Sequence, residues 1–375
     1  MKYRLAISGS YGGMNLGDEA ILAGILGELR AALDVEIVVF SCNPKDTSER
    51  HKVRAVPIRE MHRDEVQAEL RQADLFLLGG GGILFDGFAD VFLRDVNWAL
   101  ELEVPVAVHA ISVGPLNQPE SKQLVTETLN RVDRITVREA RAKRILHDLG
   151  VTKEIEVFAD PALLLRPQPL SKEALKKEGI DPDRPLVGFS VREPGPAAPQ
   201  LNVDHYHAIL ANAADFIVER FDAQVLFVPM ERGENKDPQH SHAVISKMAN
   251  ATHASVLKGE YTAPQVLGLV GHMAFAVGMR LHFLIFAGMQ HVPFVPLPYA
   301  SKVKGFLEEL EMPASSITEL HIGKLCAELD RSWDTRRALV KKLEEKIPPL
   351  AERARAGHRE LCEFIQTLPA KAAAP

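Results

Sequence analysis

The sequence predicts an α/β protein made of two doubly wound domains facing each other across a cleft. Three observations predict it. Short apolar runs rich in β-formers alternate with amphipathic stretches, the alternation happens twice, and a proline-rich segment separates the two rounds. Length agrees, because 375 residues exceed the ~250 to 300 at which a single hydrophobic core stops growing.

In the first round the strands are YRLAISG (3–9), VEIVVFS (35–41), ADLFLLGG (73–80), VPVAVHAIS (104–112) and RITV (134–137), each followed by a helix candidate. The clearest helix is 18–33. Asp18 and Glu19 favour its dipole in the first turn, and Ile21, Leu22, Ile25, Leu26 and Leu29 recur at helical spacing. From Pro161 to Pro185 the chain also holds Pro167, Pro169 and Pro182, too many for a buried strand or a long helix, so the domain boundary belongs there. In the second round 186–191, 224–230, 273–278 and 292–297 read as strands, and 203–220, 236–250, 262–271, 279–289 and 300–310 as helices. A long helical stretch over 332–362 should break near Pro348 and Pro349. The expected organisation is a first domain over 1–165, a linker over 166–185, a second domain over 186–330, a C-terminal helix over 331–366 and a disordered tail over 367–375.

Composition removes several functional classes. With 46% hydrophobic and 25% charged residues the chain is an ordinary globular one, neither disordered nor fibrous. Cys42, Cys326 and Cys362 lie far apart without a CxxC pair, so a disulfide framework and a structural zinc site both lack ligands, and a reducing, cytoplasmic setting fits. The N-terminal apolar run is too short for a signal peptide, and nowhere do ~18 uncharged apolar residues run together. A net charge of -6, without a basic patch or an RNP-like motif, argues against nucleic acid. The basic residues of 332–362 read as a solvated helix face, with a membrane-surface patch as the alternative.

Ligands of such sheets gather at the carboxyl ends of the strands, and the glycines fall there. ISGSYGGMNLGDEA (7–20) is strand, glycine-rich turn and helix start. Gly12, Gly13, Asn15 and Asp18 in it could meet an anion or a sugar hydroxyl, or simply make a tight turn; neither a P-loop nor GxGxxG is present. LLGGGGILFD (77–86) places Gly80 and Gly81 in a loop against which a substrate can lie, and HAISVGPL (109–116) repeats the arrangement with Gly114. His109 inside that strand reads as a satisfied core histidine rather than a catalyst. Arg138 ends a strand, Arg280 and His282 open an apolar helix, and Tyr299, Lys302 and Lys304 follow the next strand. Singly such cations are surface residues; together, in an acidic protein, they suggest a small anionic substrate. No metal site emerges from His205, His207, His240 or His242, and no GxSxG elbow or Cys/His pair is present.

Taken in order, YGGMNLGDEAIL, LLGGGGILFD, ISVGPL, TVREARAKRIL, FADPALLL, VGMRLHFLIFA and PYASKVKGFLEEL resemble the polysaccharide pyruvyl transferase family from about residue 5 to residue 310. The resemblance implies a GT-B-like fold of two Rossmann-like domains, the first on the acceptor side and the second on the donor side. It implies transfer of pyruvate from phosphoenolpyruvate, a co-substrate, to sugar hydroxyls as a ketal, with no cofactor. The subgroup most similar acts on N-acetylmannosamine in lipid-linked precursors of cell-wall polymers that anchor surface layers, at the inner face of the cell membrane. The family motifs fall on Arg138, His282 and Lys302 as catalytic residues; Glu139 and the Ala300–Ser301 pair stand where the family more often has aspartate. Two rival readings are a GT-B nucleotide-sugar glycosyltransferase and a non-catalytic sugar-binding protein. Oligomeric state is left open.

Overall fold

A computed structural model describes residues 2–195, 201–297, 301–313 and 321–369. The chain divides into two units: 1–165 together with 350–375, and 166–349. In the first, the strands are β1 (Tyr3–Ser8), β2 (Val35–Ser41), β3 (Arg54–Pro57), β4 (Leu75–Leu78), β5 (Gly81–Leu84), β6 (Val106–Val113), β7 (Arg134–Val137) and β8 (Ile155–Val157). They form one sheet in the order β3-β2-β1-β4-β6-β7-β8, with β5 pairing β6, and every pairing is parallel. All eight residues of β6 are buried, as befits a strand covered on both faces.

In the second unit β9 (Leu186–Ser190), β10 (Gln224–Phe227), β11 (Ala254–Val256), β12 (Phe275–Gly278) and β13 (Phe294–Pro296) form a parallel sheet in the order β11-β10-β9-β12-β13. Each sheet has its own core: Phe40, Phe76, Val108 and Leu146 belong to the first, and Phe189, Tyr206, Phe227 and Phe275 to the second. Each strand order also reverses once, between β1 and β4 and between β9 and β12, which places a crevice for ligands at those carboxyl ends.

Several boundaries differ from the sequence reading. Residues 166–185 pack with the second unit, where the helix Lys172–Lys177 leads to buried Glu178, whose carboxylate accepts the N–H groups of Lys258 and Gly259 and the Tyr261 hydroxyl. The expected break at Pro348 and Pro349 is absent, and one helix runs Arg336–Thr367 with both prolines inside it. From Leu350 onward this helix belongs to the first unit: Arg353 donates to the Phe158 carbonyl, a Cβ on Gly357 would press on the Phe158 ring, and His358 packs its ring on His109. Of the expected tail, 370–375 lies outside the described residues. Much of the basic charge here is internally paired, Lys346 with Glu311 and both Arg355 and Arg359 with Glu352. Among the described residues no helix is long and apolar enough to cross a membrane.

Candidate active site

At the carboxyl edge of the first sheet the glycines are shaped by one side chain, Tyr11. Its ring is fully buried after β1, where a Cβ on Gly9 would lie 2.7 Å from the ring and one on Gly79 would collide with the hydroxyl. Gly80 is equally constrained, since its Cβ would lie 2.8 Å from Ile21 Cγ2 and 3.1 Å from the Ala110 carbonyl oxygen. Gly81, at φ +101°, starts β5 instead of extending the loop. At Gly79 and Gly80 the absence of a side chain is thus a packing requirement, whatever else the loop meets.

Gly12 takes φ +75° and approaches the end of β2 so closely that a Cβ would meet Asn43 N at 2.5 Å. Its N–H donates to Glu19 Oε1 at 2.9 Å, and Glu19 Oε2 meets His51 Nε2 at 2.6 Å, both side chains being buried. Glu19 is therefore a clamp on the loop more than a dipole partner. Asn15 caps the helix Leu16–Ala32 by accepting from Gly17 N–H, and Gly13 is exposed with nothing within 4 Å of its Cβ position. Gly114, at φ +93°, donates to the Leu84 carbonyl.

Arg138 follows β7 and is buried. Nη1 donates to Asp160 Oδ2 at 2.7 Å and Nε to Glu139 Oε2 at 3.2 Å, while buried Nη2 has no partner among the described residues. Burial pulls its pKa down, but Asp160, Glu139 and Asp18 outweigh that and hold the guanidinium charged. Asp18 also lies beside Gly81, and Glu139 accepts from the Ser112 hydroxyl. The structure thus gathers Asp18, Gly81 and Arg138 at one edge, along with Glu139 and Asp160. The buried Tyr11 hydroxyl after β1 has no partner among the described residues, and burial together with Asp18 and Glu19 pushes its pKa up.

At the edge of the second sheet β12 ends at Gly278, and Arg280 and His282 open the helix Leu281–Met289, the N-cap Arg280 making no capping bond with its own side chain. Gly278 pairs with Ser190 of β9, whose buried hydroxyl has no partner among the described residues. Arg280 is already paired with two carboxylates. Its Nε lies 3.0 Å from Asp237 Oδ2, and its Nη2 lies 2.5 Å from Asp237 Oδ1 and 2.6 Å from Glu231 Oε2. Tyr206 ties the neighbouring loops together, its hydroxyl meeting the Arg192 carbonyl at 3.1 Å and the Met279 sulfur. Lys302 is half-buried in the helix Ser301–Glu309, and Tyr299 lies outside the described residues.

His207 and His240, which the sequence left unassigned, meet through Nε2 and Nδ1 at 3.0 Å. His240 lies in the helix Asp237–Ile245, and burial draws both pKa values down, that of His207 to about 4. His109 is a core residue as expected, with Nδ1 at 3.1 Å from the Thr136 hydroxyl, but it is only half satisfied, since its buried Nε2 has no hydrogen-bond partner among the described residues. Among the described residues no three His, Cys, Asp or Glu side chains gather as metal ligands would.

Two Rossmann-like units, each with its polar groups at the carboxyl edge of a parallel sheet, define a GT-B-like α/β protein. Solved structures agree on fold, at identities too low to speak for more. The MnaA–UDP complex of S. aureus aligns over 100% of both chains at 11% identity with a TM-score of 0.67. The UDP-GlcNAc 2-epimerase of Neisseria meningitidis, bound to UDP-GlcNAc, aligns over 97% of this chain and 100% of its own at 10% identity and a TM-score of 0.63. A glycosyltransferase of Rickettsia africae ESF-5 covers 97% and 99% at 11% identity and 0.60. The family is defined by sequence: the polysaccharide pyruvyl transferase model matches residues 15–301, and the chain belongs to that family. The amylovoran biosynthesis protein AmsJ of Erwinia amylovora is 21% identical over 313 residues, 80% of this chain and 74% of its own length. The general role is therefore that of a pyruvyl-transferring enzyme of polysaccharide biosynthesis.

Proposed function

We propose that the protein moves pyruvate from phosphoenolpyruvate onto two hydroxyls of a saccharide, making a ketal and releasing phosphate. The acceptor proposed is N-acetylmannosamine of a lipid-linked cell-wall polymer precursor, used at the inner face of the cell membrane. The observation that carries the donor assignment is the start of the helix Leu281–Met289. Its N-cap residue, Arg280, makes no side-chain capping bond, it follows the reversal point of the second sheet, and His282 stands in its first turn. A helix start attracts an anion through its first N–H groups and its dipole.

The reaction needs protonation of the donor's methylene carbon, which leaves a cationic C2 for one sugar hydroxyl to attack. The C2–phosphate bond then breaks with its electron pair leaving on phosphate, and the second hydroxyl closes the ring. Of the two hydroxyl protons released, one balances the new methyl group and the other leaves with phosphate or solvent. His282 is the group proposed to move a proton in these steps, because an imidazole has one nitrogen that can donate a proton and one that can accept it. Lys302 is proposed to meet the donor's carboxylate and phosphate charge. Arg138, in the first unit, is proposed as a further catalytic cation, with Nη2 as the atom that has no partner among the described residues.

The test is incubation with phosphoenolpyruvate and lipid-diphosphate disaccharides, followed by phosphate release and the mass of the sugar. Phosphoenolpyruvate at 100 times its dissociation constant should also stabilise the fold by ~2.7 kcal/mol. Stabilisation by UDP-sugars and none by phosphoenolpyruvate would overturn the proposal in favour of glycosyl transfer.

A further inference from the structure

Two carboxylates hold Arg280, and they are not equivalent. The Asp237 side chain is fully buried, accepts the N–H groups of Met230 and Glu231 at 3.0 Å each, and meets both Nε and Nη2 of the guanidinium. These bonds tie the loop after β10 to the start of the helix Leu281–Met289. Glu231 meets Nη2 with one oxygen at 2.6 Å, and its other oxygen lies 2.8 Å from Lys236 Nζ. Its side chain is 18% exposed against 0% for Asp237, and among the described residues no backbone amide donates to it. Among the described residues the two carboxylates offset the charge of the two cations, so a multiply charged anion is drawn to this edge less strongly while Glu231 is in place.

We propose that Glu231 is an exchangeable counterion: it occupies Arg280 Nη2 in the unliganded protein and yields that atom and Lys236 to the anionic group of the donor. Asp237 stays in place and acts as the positioning residue for the guanidinium. The inference rests on the reading of this edge as the donor side. Its physical basis is the difference in anchoring. Displacing Asp237 would break two backbone hydrogen bonds and leave a buried charge uncompensated, whereas Glu231 can turn outward into solvent. A displaced carboxylate competes with the donor for the same cations, so it weakens binding of every anion there and selects those with enough charge to win.

The two roles predict opposite signs. Glu231→Gln keeps the size of the side chain and removes the competing charge, so phosphoenolpyruvate and inorganic phosphate should each bind ~3- to 10-fold tighter. Asp237→Asn frees the guanidinium from its anchor and should weaken phosphoenolpyruvate more than ~10-fold. Calorimetric dissociation constants for the wild type and both variants, with the unliganded melting temperature of each, decide the matter. Unchanged or weaker binding by Glu231→Gln overturns the counterion role, and this variant decides alone if Asp237→Asn does not fold. Tighter binding by Asp237→Asn overturns the positioning role. A wild type that binds neither probe overturns the donor-side reading itself; one that binds phosphoenolpyruvate while Glu231→Gln gains nothing overturns only this inference.

Discussion

Gly79→Ala tests whether the glycine run serves Tyr11. A Cβ on Gly79 lies inside contact distance of the Tyr11 hydroxyl, and its next neighbours, Tyr11 Cζ and Ile25 Cδ1, are at 3.4 Å. Because the ring is fully buried, it cannot swing into solvent, so the substitution overpacks the core at a cost of ~1 to 3 kcal/mol. Tyr11→Phe removes the single colliding atom. It also removes a buried hydroxyl that has no partner among the described residues, and such a hydroxyl by itself costs about 1 to 3 kcal/mol, so Tyr11→Phe alone should be neutral or stabilising. In the Tyr11→Phe background the Cβ has only ordinary contacts left, and Gly79→Ala should then cost less than ~0.5 kcal/mol. Urea unfolding of the four proteins gives the cycle, with expected coupling of ~1 to 3 kcal/mol. An equal cost of Gly79→Ala in both backgrounds refutes the reasoning and returns this glycine to substrate contact.

His282→Ala should lower turnover ~100- to 10,000-fold while leaving donor affinity and melting temperature nearly unchanged; a destabilised variant whose folded fraction stays active would show that the imidazole only packs. Lys302→Ala should instead raise the Michaelis constant for phosphoenolpyruvate ~10- to 100-fold, as loss of a charge contact to an anion does, and a pure loss of kcat would contradict that role. Burial lowers the pKa of His358 to about 4 and that of His109 well below its usual value. The unfolded chain, with histidines near ~6.5, takes up protons first as pH falls, so stability present above that pH should be lost between ~6.5 and 4. His358→Leu should flatten this part of a pH series of unfolding midpoints, and an unchanged slope would assign the acid sensitivity elsewhere.

The central strands are legible because strands covered on both faces are continuous apolar runs, as in β6 and β9. The edge strands β3, β8 and β11 are not, since RAVP, IEV and ASV are too short and too mixed to stand out. The prolines mislead for a related reason. Leu343, Ile347, Leu350 and Ala354 form a buried stripe that continues past them, while Pro348 and Pro349 stay exposed and the loss of their N–H groups is tolerated. In the candidate site, Arg280 is visible as a charge in an apolar helix start. Its partners Asp237 and Glu231 lie 43 and 49 positions away, where no local spacing announces them. The glycines were equally visible, but their cause, a tyrosine threaded among them, is a matter of packing.

The helix Arg336–Thr367 belongs to the second unit up to Pro349 and to the first from Leu350. The first unit is therefore written in two pieces with the whole of the second between them. A ribosome adding ~5 to 20 residues per second needs roughly 10 to 40 s to travel from residue 165 to residue 350. For that interval the emerging sheet has neither Arg353 against the Phe158 carbonyl nor His358 over His109. The unit that starts first is finished last, and the second unit has its complete chain before the first can close.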